Sequence, residues 1–295
     1  MNQVTNLVRL MRPRQWVKSS FVVTGLLFAN AWRHPQLAQH VLLAAVAFSL
    51  TASGVYIIND LLDRATDLQH PKKKLRPLAS GAVSNASAVA LLAVLWIGAV
   101  VLALFVSPKV LTIISIYALI NVAYSLGLKH VVILDVFIIA SGFMLRILAG
   151  TVGVGIPPSE WLLLCGLMMA LFLGFAKRRA ELYALSDDGP THRRVLSNYQ
   201  AVLLDKMIVV TATCVILTYS LYTMSPATIQ AHHTEKLIYT VPFVIYGIFR
   251  YIYSLHRQSA GSDPALQIFR DPHLLAAIGG WLLVTLWLIS RHRVG

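Results

Sequence analysis

Acid is what this sequence has least of: 12 Asp and Glu stand against 25 Lys and Arg in 295 residues. Charges of both signs make up 13% of the chain, about half of the ~25% usual in a soluble domain. That deficit excludes an ordinary soluble globule and points to a protein whose charges are confined to loops between apolar segments. There are two cysteines, Cys165 and Cys214, each inside an apolar run. Neither a disulfide framework nor a thiolate metal centre is indicated, and packing is the expected role of both. No Pro/Ser-rich linker, low-complexity tract or obvious repeat divides the chain, so no separate soluble domain is expected. Alternating segments of ~10 residues are also missing, which excludes a closed β-barrel.

What is there in quantity is apolar: 57% of residues are hydrophobic and the mean hydropathy is +0.68. Segments near 16–31, 37–59, 84–106, 109–126, 131–151, 160–176, 203–224, 237–255 and 272–290 are apolar enough and long enough to cross a ~30 Å hydrocarbon core. The expected fold is an all-α, polytopic bundle of nine spans forming one integral-membrane unit over 1–295. Most of the basic residues, among them Arg9, Arg12, Arg14, Lys18, Lys72–Lys74, Arg76, Lys129, Lys177–Arg179, Arg193 and Arg194, then fall on the amino-terminal side. Arg33, Lys109, Lys236, Arg291 and Arg293 fall on the other. The excess of Lys and Arg on one side places the N-terminus in the cytoplasm and the C-terminus outside. The net charge of +13 is therefore a matter of topology, with some attraction to anionic lipid or substrate, and nucleic acid is not needed to explain it. The basic start, the apolar run at 21–28 and Ala29-Asn30-Ala31 resemble a signal peptide with its cleavage site. Its removal would put the charge-rich loops on the wrong side, so the segment is expected to be retained.

Three of the scarce acids are gathered in "YIINDLLDRATDLQHPKKKLRP", residues 56–77. Asn59, Asp60, Asp63 and Asp67 fall within an arc of about 100° on one face of a helix. Carboxylates on one face repel each other, and a bound divalent cation removes that repulsion. Oxygen ligands suit Mg²⁺, which takes one or two carboxylates plus substrate phosphates and keeps several waters. Pro71 is expected to end this helix, and the basic run Lys72–Arg76 follows where it can reach a phosphate held by the metal. The alternative is a solvated loop whose lysines only set topology. Acids contribute little to topology and are scarce here, which favours metal plus diphosphate.

Two further clusters carry charge into or beside apolar spans. "YSLGLKHVVILDVFIIASGFMLR" contains Tyr124, Lys129, Asp135 and Arg146. Asp135 and Arg146 are costly facing lipid and are expected to face the interior, either as site residues or paired with each other or with backbone. "FAKRRAELYAL" contains Lys177, Arg178 and Arg179, with Lys177 and Glu181 spaced as a surface helix pair. Trp16 in "RPRQWVKSSFV" is expected at the membrane interface, with Lys18 reaching past it. "TVGVG" at 151–155 is expected to be an outer loop without phosphate chemistry, and His232 and His233 are expected to be loop residues rather than ligands.

"NDLLDRATD" with "HPKKKLRP", then "YSLGLK", resembles the UbiA superfamily of intramembrane transferases, most closely its decaprenyl-phosphate phosphoribosyltransferase branch. The signature positions are Asn59, Asp60, Asp63, Asp67, His70, Pro71, Lys73, Arg76 and Pro77. Similarity continues in "RPRQWVK", "SGFMLRILAG", "LFLGFAKRRAEL", "RRVLSNY" and "YSLYTM", so it covers nearly the whole chain. Relatives that transfer prenyl groups carry a second DxxxD motif. Here Ile139 stands at its second position and only Asp135 remains, which weakens an aromatic prenyltransferase reading.

The resemblance implies a nine-helix bundle with a central cavity open to the cytoplasm, in a bacterial inner membrane. It implies transfer of 5-phosphoribosyl from 5-phosphoribosyl 1-pyrophosphate to a polyprenyl phosphate, for cell-envelope glycan precursors. Mg²⁺ would be held by Asn59, Asp60, Asp63 and Asp67. Lys129 would act at the leaving pyrophosphate, and Lys18, Lys73, Arg76, Tyr124, Asp135, Arg146, Lys177, Arg178 and Arg179 would contact substrates. Homo-oligomerisation is left open. The other readings are prenyl transfer from a prenyl diphosphate to an aromatic acceptor and, without catalysis, a lipid or ion transporter.

Overall fold

The computed structural model describes residues 3–28, 34–69, 73–188 (side chains of 184–188 excepted), 199–257 and 271–291. No strand occurs among these residues. The helices are α1 (Gln3–Met11), α2 (Ser20–Phe28), α3 (Pro35–Leu62), α4 (Arg64–Leu68), α5 (Asn85–Val106), α6 (Pro108–Leu126), α7 (Leu134–Ala149), α8 (Glu160–Asp188), α9 (Ala201–Met224), α10 (Pro226–His232), α11 (Val241–Arg257) and α12 (Pro272–Arg291). Among the described residues, 8 helical segments are long and apolar enough to cross a membrane. They correspond to the second through ninth expected spans. The first expected span, 16–31, is described only in part, as a 3-10 segment over Pro13–Ser19 followed by the nine residues of α2. Residues 29–31 lie outside the described residues.

The chain divides into two units, Met1–Pro158 and Ser159–Gly295. In the first, α3 packs against α2, α5, α6 and α7. Its buried face is built from small and medium side chains, Val41, Ala44, Ala47, Ala52 and Val55, around the one large ring of Phe48. At 28 residues α3 is about 42 Å long, more than the ~30 Å hydrocarbon core needs, so its last turns can carry Asn59 and Asp60 to the interface. α2 lies unusually close to α7. A methyl group added at Gly150 would fall 1.7 Å from the Val22 carbonyl oxygen, and one at Gly25 would fall 2.4 Å from the Gly150 oxygen. Only glycine permits that approach. A second apolar cluster of Leu10, Ile57, Leu78, Val83, Ala88 and Leu95 ties α1, the end of α3, the 73–84 loop and α5 together. That loop carries Arg76.

Helix ends in this unit follow local chemistry. Ser84 and Ser107 cap α5 and α6 by accepting from the Ser87 and Val110 amides, and Pro108 occupies the first turn of α6. The 151–155 segment, expected as an outer loop, contains a 3-10 turn, Val152–Val154, in which Gly153 is buried and its carbonyl accepts from Ser107.

In the second unit, α8 packs on α9, and α11 packs on α9 and α12. Polar side chains bond across these helices: the Trp281 indole donates to the Tyr219 hydroxyl at 2.6 Å, which also meets Thr240 at 2.6 Å. His232 is not the loop residue expected. It ends α10, is 1% exposed and bonds the Tyr222 hydroxyl at 3.1 Å. Asp271 sits at the start of α12. One carboxylate oxygen accepts from the His273 and Leu274 amides, and the other accepts from Arg250 at 2.8 Å. Burial raises the Asp271 carboxyl, but the Arg250 hydrogen bond and the two amides outweigh it and hold it below the ordinary carboxylate value.

Asp271→Ala removes that cap and is expected to cost about 1–2 kcal/mol, read as a lowered Tm of the detergent-solubilised protein. Because the folded carboxyl is depressed, its stabilisation is complete above the unfolded value and fades as pH falls through the folded one. The gap in Tm between wild type and Asp271→Ala should therefore close in acid.

Candidate functional site

The acid-rich stretch is not one straight helix. α3 ends at Leu62, Asp63 takes φ −89° and ψ 4°, and α4 resumes at Arg64. Backbone bonding runs on through the bend, from Asp63 N–H to Asn59 O at 2.9 Å and from Asp67 N–H to Asp63 O at 2.8 Å. On either side of the bend, Asp60 and Asp67 are buried, 2% and 3% exposed. α4 ends at Leu68, before the position of Pro71. His70, Pro71 and Lys72 lie outside the described residues, as does 193–198.

The three carboxylates meet three cations, each delivered by a different segment. Arg76 Nη1 donates to Asp60 at 3.0 Å and to Asp67 at 2.6 Å, so one guanidinium nitrogen bridges both. Its loop is a helical turn, with Arg76 N–H on Lys73 O and Ser80 N–H on Arg76 O, pinned by the fully buried Leu78. Lys129, buried on the short 3-10 segment Leu128–His130 after α6, donates from Nζ to Asp63 at 2.8 Å. Arg12 also donates to Asp60 and stacks over the Tyr56 ring at 5.0 Å. Arg12 has φ 54°, a left-handed conformation that costs a non-glycine residue on the order of 1–3 kcal/mol and persists where the surroundings enforce it.

Around this cluster, Ser125 donates to the Asn59 side-chain oxygen at 3.1 Å, and Tyr124 beside it is half-buried. Asn59, Asp63, Ser125 and Lys129 therefore join the two signature segments directly. Ile133 also has positive φ, 70°, and precedes α7, whose first turn holds the fully buried Asp135, where a carboxylate favours the helix dipole. Lys18 and Lys73 are half-buried on their 3-10 segments. The Trp16 indole donates to Ser53 on α3 at 3.0 Å.

Arg146 does not pair with Asp135. Eleven residues of continuous helix put them about 16 Å apart along the axis, beyond the reach of both side chains. Arg146 is 4% exposed, donates to Gly142 O at 2.7 Å and to the Tyr117 hydroxyl at 3.3 Å, and lies over the rings of Phe48, Tyr117 and Phe143 at 4.7, 4.9 and 5.7 Å. Ring faces and a backbone carbonyl surround this charge.

In the second unit, α8 continues past the expected end at 176 and carries Lys177, Arg178 and Arg179 as part of the helix. The two arginines of the run are buried rather than solvated. Arg178 is fully buried and paired with Glu181, and Arg179, 3% exposed, holds both oxygens of Asp205 at 2.7 and 3.3 Å and stacks on Tyr183 at 3.7 Å. Lys177 is half-buried.

Chemically, the first unit offers carboxylate oxygens that converge on one cationic atom, with flexible cations beside them. Among the described residues no three His, Cys, Asp or Glu form a metal cage by themselves. Two carboxylates bridged by a single cation do fit Mg²⁺, which completes its shell with water and phosphate. Residues not singled out from the sequence are Arg12, Ser125 and Asp205. Arg12 and Ser125 lie within "RPRQWVK" and "YSLGLK", and that was their only signal; Asp205 had none.

A model of the UbiA prenyltransferase family matches residues 19–271. The decaprenyl-phosphate phosphoribosyltransferase of Mycolicibacterium smegmatis is 32% identical over 292 residues, covering 95% of this chain and 91% of that protein. The protein of that name from Corynebacterium glutamicum is 32% identical over 284 residues, covering 90% and 84%. In fold, the chain is similar to a UbiA homolog from Archaeoglobus fulgidus solved with DMAPP and Mg²⁺, with a TM-score of 0.71 and 16% identity, covering 97% of this chain and 99% of that one. The same homolog with GPP and Mg²⁺ gives a TM-score of 0.70 at 17% identity over 97% of each chain.

Arg12→Ala leaves Asp60 with Arg76 alone and is expected to cost about 1.5–3 kcal/mol, the size of a charge-assisted hydrogen bond. Arg14→Ala, at an exposed position two residues away, is the control. Thermal unfolding in detergent should show a clear loss of Tm for the first and none for the second.

Proposed function

The chain belongs to the UbiA prenyltransferase family and is an integral membrane transferase, and we propose that it moves 5-phosphoribosyl from 5-phosphoribosyl 1-pyrophosphate to a polyprenyl phosphate, releasing pyrophosphate. The observation that carries this reading is the join between the two signature segments: Asp60, Asp63 and Asp67 lie against Arg76 and Lys129. Similarity over most of the chain to proteins named decaprenyl-phosphate phosphoribosyltransferase supports it.

Asp60, Asp63 and Asp67 would hold Mg²⁺, with the Asn59 oxygen beside them. When bound, the ion supplies a positive charge that neutralises the departing diphosphate. The chain's own residues do the rest. Arg76 and Lys129, and Lys73 on the same loop as Arg76, bind and orient phosphate oxygens at the leaving group, where negative charge grows as the anomeric carbon becomes oxocarbenium-like. The C1–O bond to pyrophosphate breaks and a bond from C1 to the acceptor phosphate oxygen forms. That oxygen is already ionised at neutral pH, so no strong general base is needed. Bringing two anions together is the main task, and the local density of cations serves it. Tyr124 and Asp135 would border the donor. Some of the cations Lys18, Arg146, Lys177, Arg178 and Arg179 would serve the lipid phosphate, with the polyprenyl tail along the apolar helices.

The site would face the cytoplasm of a bacterial inner membrane, as the distribution of Lys and Arg favours. The competing reaction is prenyl transfer to an aromatic acid. Its support is the fold shared with a homolog solved with DMAPP or GPP.

Labelled phosphoribose offered to polyprenyl phosphate, polyprenol and an aromatic acid is expected to enter the lipid phosphate alone. Efficient transfer to the alcohol, or prenyl transfer from a diphosphate to the acid, overturns the assignment. Asp63→Asn should abolish turnover in a folded, membrane-inserted protein. Lys129→Ala should reduce donor use by about 10- to 150-fold, the loss of one charge-assisted phosphate contact.

A further inference from the structure

The cations around Asp60, Asp63 and Asp67 match them in number: Arg12 and Arg76 on Asp60, Arg76 on Asp67, and Lys129 on Asp63. This carboxylate set is already neutralised by side chains of the protein itself. A divalent ion entering alone would add two positive charges beside three that are present, against carboxylates that are largely withdrawn from water. Buried charge without a counter-charge is strongly disfavoured. The same ion arriving with a diphosphate brings its own negative charge, and the displaced guanidinium and ammonium groups gain phosphate oxygens to bind.

Exposure sets the arrangement for such an exchange. The Arg12 and Arg76 side chains are each 27% exposed, while Asp60 and Asp67 are 2% and 4% exposed beneath them. An approaching anion meets the guanidiniums first. At the third pair the order is reversed: the Asp63 side chain is 24% exposed and Lys129 11%. Asp63 is therefore the carboxylate an incoming metal touches first. Arg12 also has somewhere to remain once it leaves Asp60, because its guanidinium already lies over the Tyr56 ring.

We infer that Arg12, Arg76 and Lys129 are resident counter-ions that are exchanged for a metal–diphosphate complex, so that metal and diphosphate bind as one ligand and each binds weakly alone. The identity of the diphosphate rests on the phosphoribosyl transfer proposed above; the exchange itself does not. Linkage makes the coupling reciprocal, so the donor without metal is disfavoured by the same factor as the metal without donor.

The test is equilibrium dialysis of the full-length protein in detergent against labelled Mn²⁺ as the divalent probe, with no lipid acceptor present. The ion is offered alone, with 5-phosphoribosyl 1-pyrophosphate, or with geranyl diphosphate. Retention by wild type should be at least about tenfold tighter with the phosphoribosyl donor than without it, a coupling of ~1.4 kcal/mol. Arg76→Gln and Lys129→Met each remove one counter-ion, and both should hold Mn²⁺ alone more tightly than wild type does.

Enhancement by geranyl diphosphate and not by the phosphoribosyl donor upholds the exchange and overturns the donor. Equal retention with and without any diphosphate overturns the exchange while leaving the donor assignment to the transfer assay. Absence of retention under every condition also overturns the exchange, as do variants that hold Mn²⁺ alone no better than wild type. Should Arg76→Gln fail to fold, the wild-type comparison and Lys129→Met decide the matter.

Discussion

Three aspartates at the end of a long membrane helix would repel each other, and the rest of the first unit is arranged to prevent that. Arg12 arrives from the N-terminal segment, Arg76 from the loop after α4, and Lys129 from the turn between α6 and α7. Each has to be held in place by apolar packing or by an enforced backbone conformation. Leu78 anchors the Arg76 loop, and Arg12 accepts a left-handed conformation to reach Asp60. A neutral cluster is what allows Asp60 and Asp67 to be buried, because a buried charge without a counter-charge is strongly disfavoured.

The same logic separates cations that stay partly exposed from those buried among their partners. Arg179 is tied bidentately to Asp205 and stacked on Tyr183, and Arg178 is fully buried against Glu181. Arg146 has three aromatic rings and a backbone carbonyl around it. These guanidiniums are more deeply buried than Arg76 or Arg12, whose side chains remain about a quarter exposed. A role at a lipid phosphate would therefore ask the first group to orient an anion without moving, and the second to change partners.

Much of the bundle was legible because hydropathy and end signals agree. The expected 109–126 span is α6, begun by Ser107 as cap and Pro108 in the first turn, and 37–59 is the centre of α3. The bend at Asp63 was not legible: no glycine or proline marks it, and helical hydrogen bonds continue through it. Within the 16–31 segment, apolar content gave no sign of the 3-10 stretch Pro13–Ser19 that precedes α2. At the site, the acids announced themselves by scarcity. Arg76 and Lys129 stood out with their motifs, but Arg12 and the pairings did not, since 48 and 66 residues separate Arg12 from Asp60 and Lys129 from Asp63, and nothing local encodes such a pairing. Burial of Arg178 and Arg179 was equally hidden, because a basic run at the end of a span reads as a topology signal.

Every charged group in the neutralised cluster lies between Arg12 and Lys129, inside the first of the two units. This bears on biogenesis. Once synthesis has passed α6 and the turn after it, the nascent chain already contains both the acids and the cations that cancel them. The most charge-dense segment of the molecule can be settled at the membrane while α8 to α12 are still unmade, so the translocon need not shelter it until the remaining helices arrive.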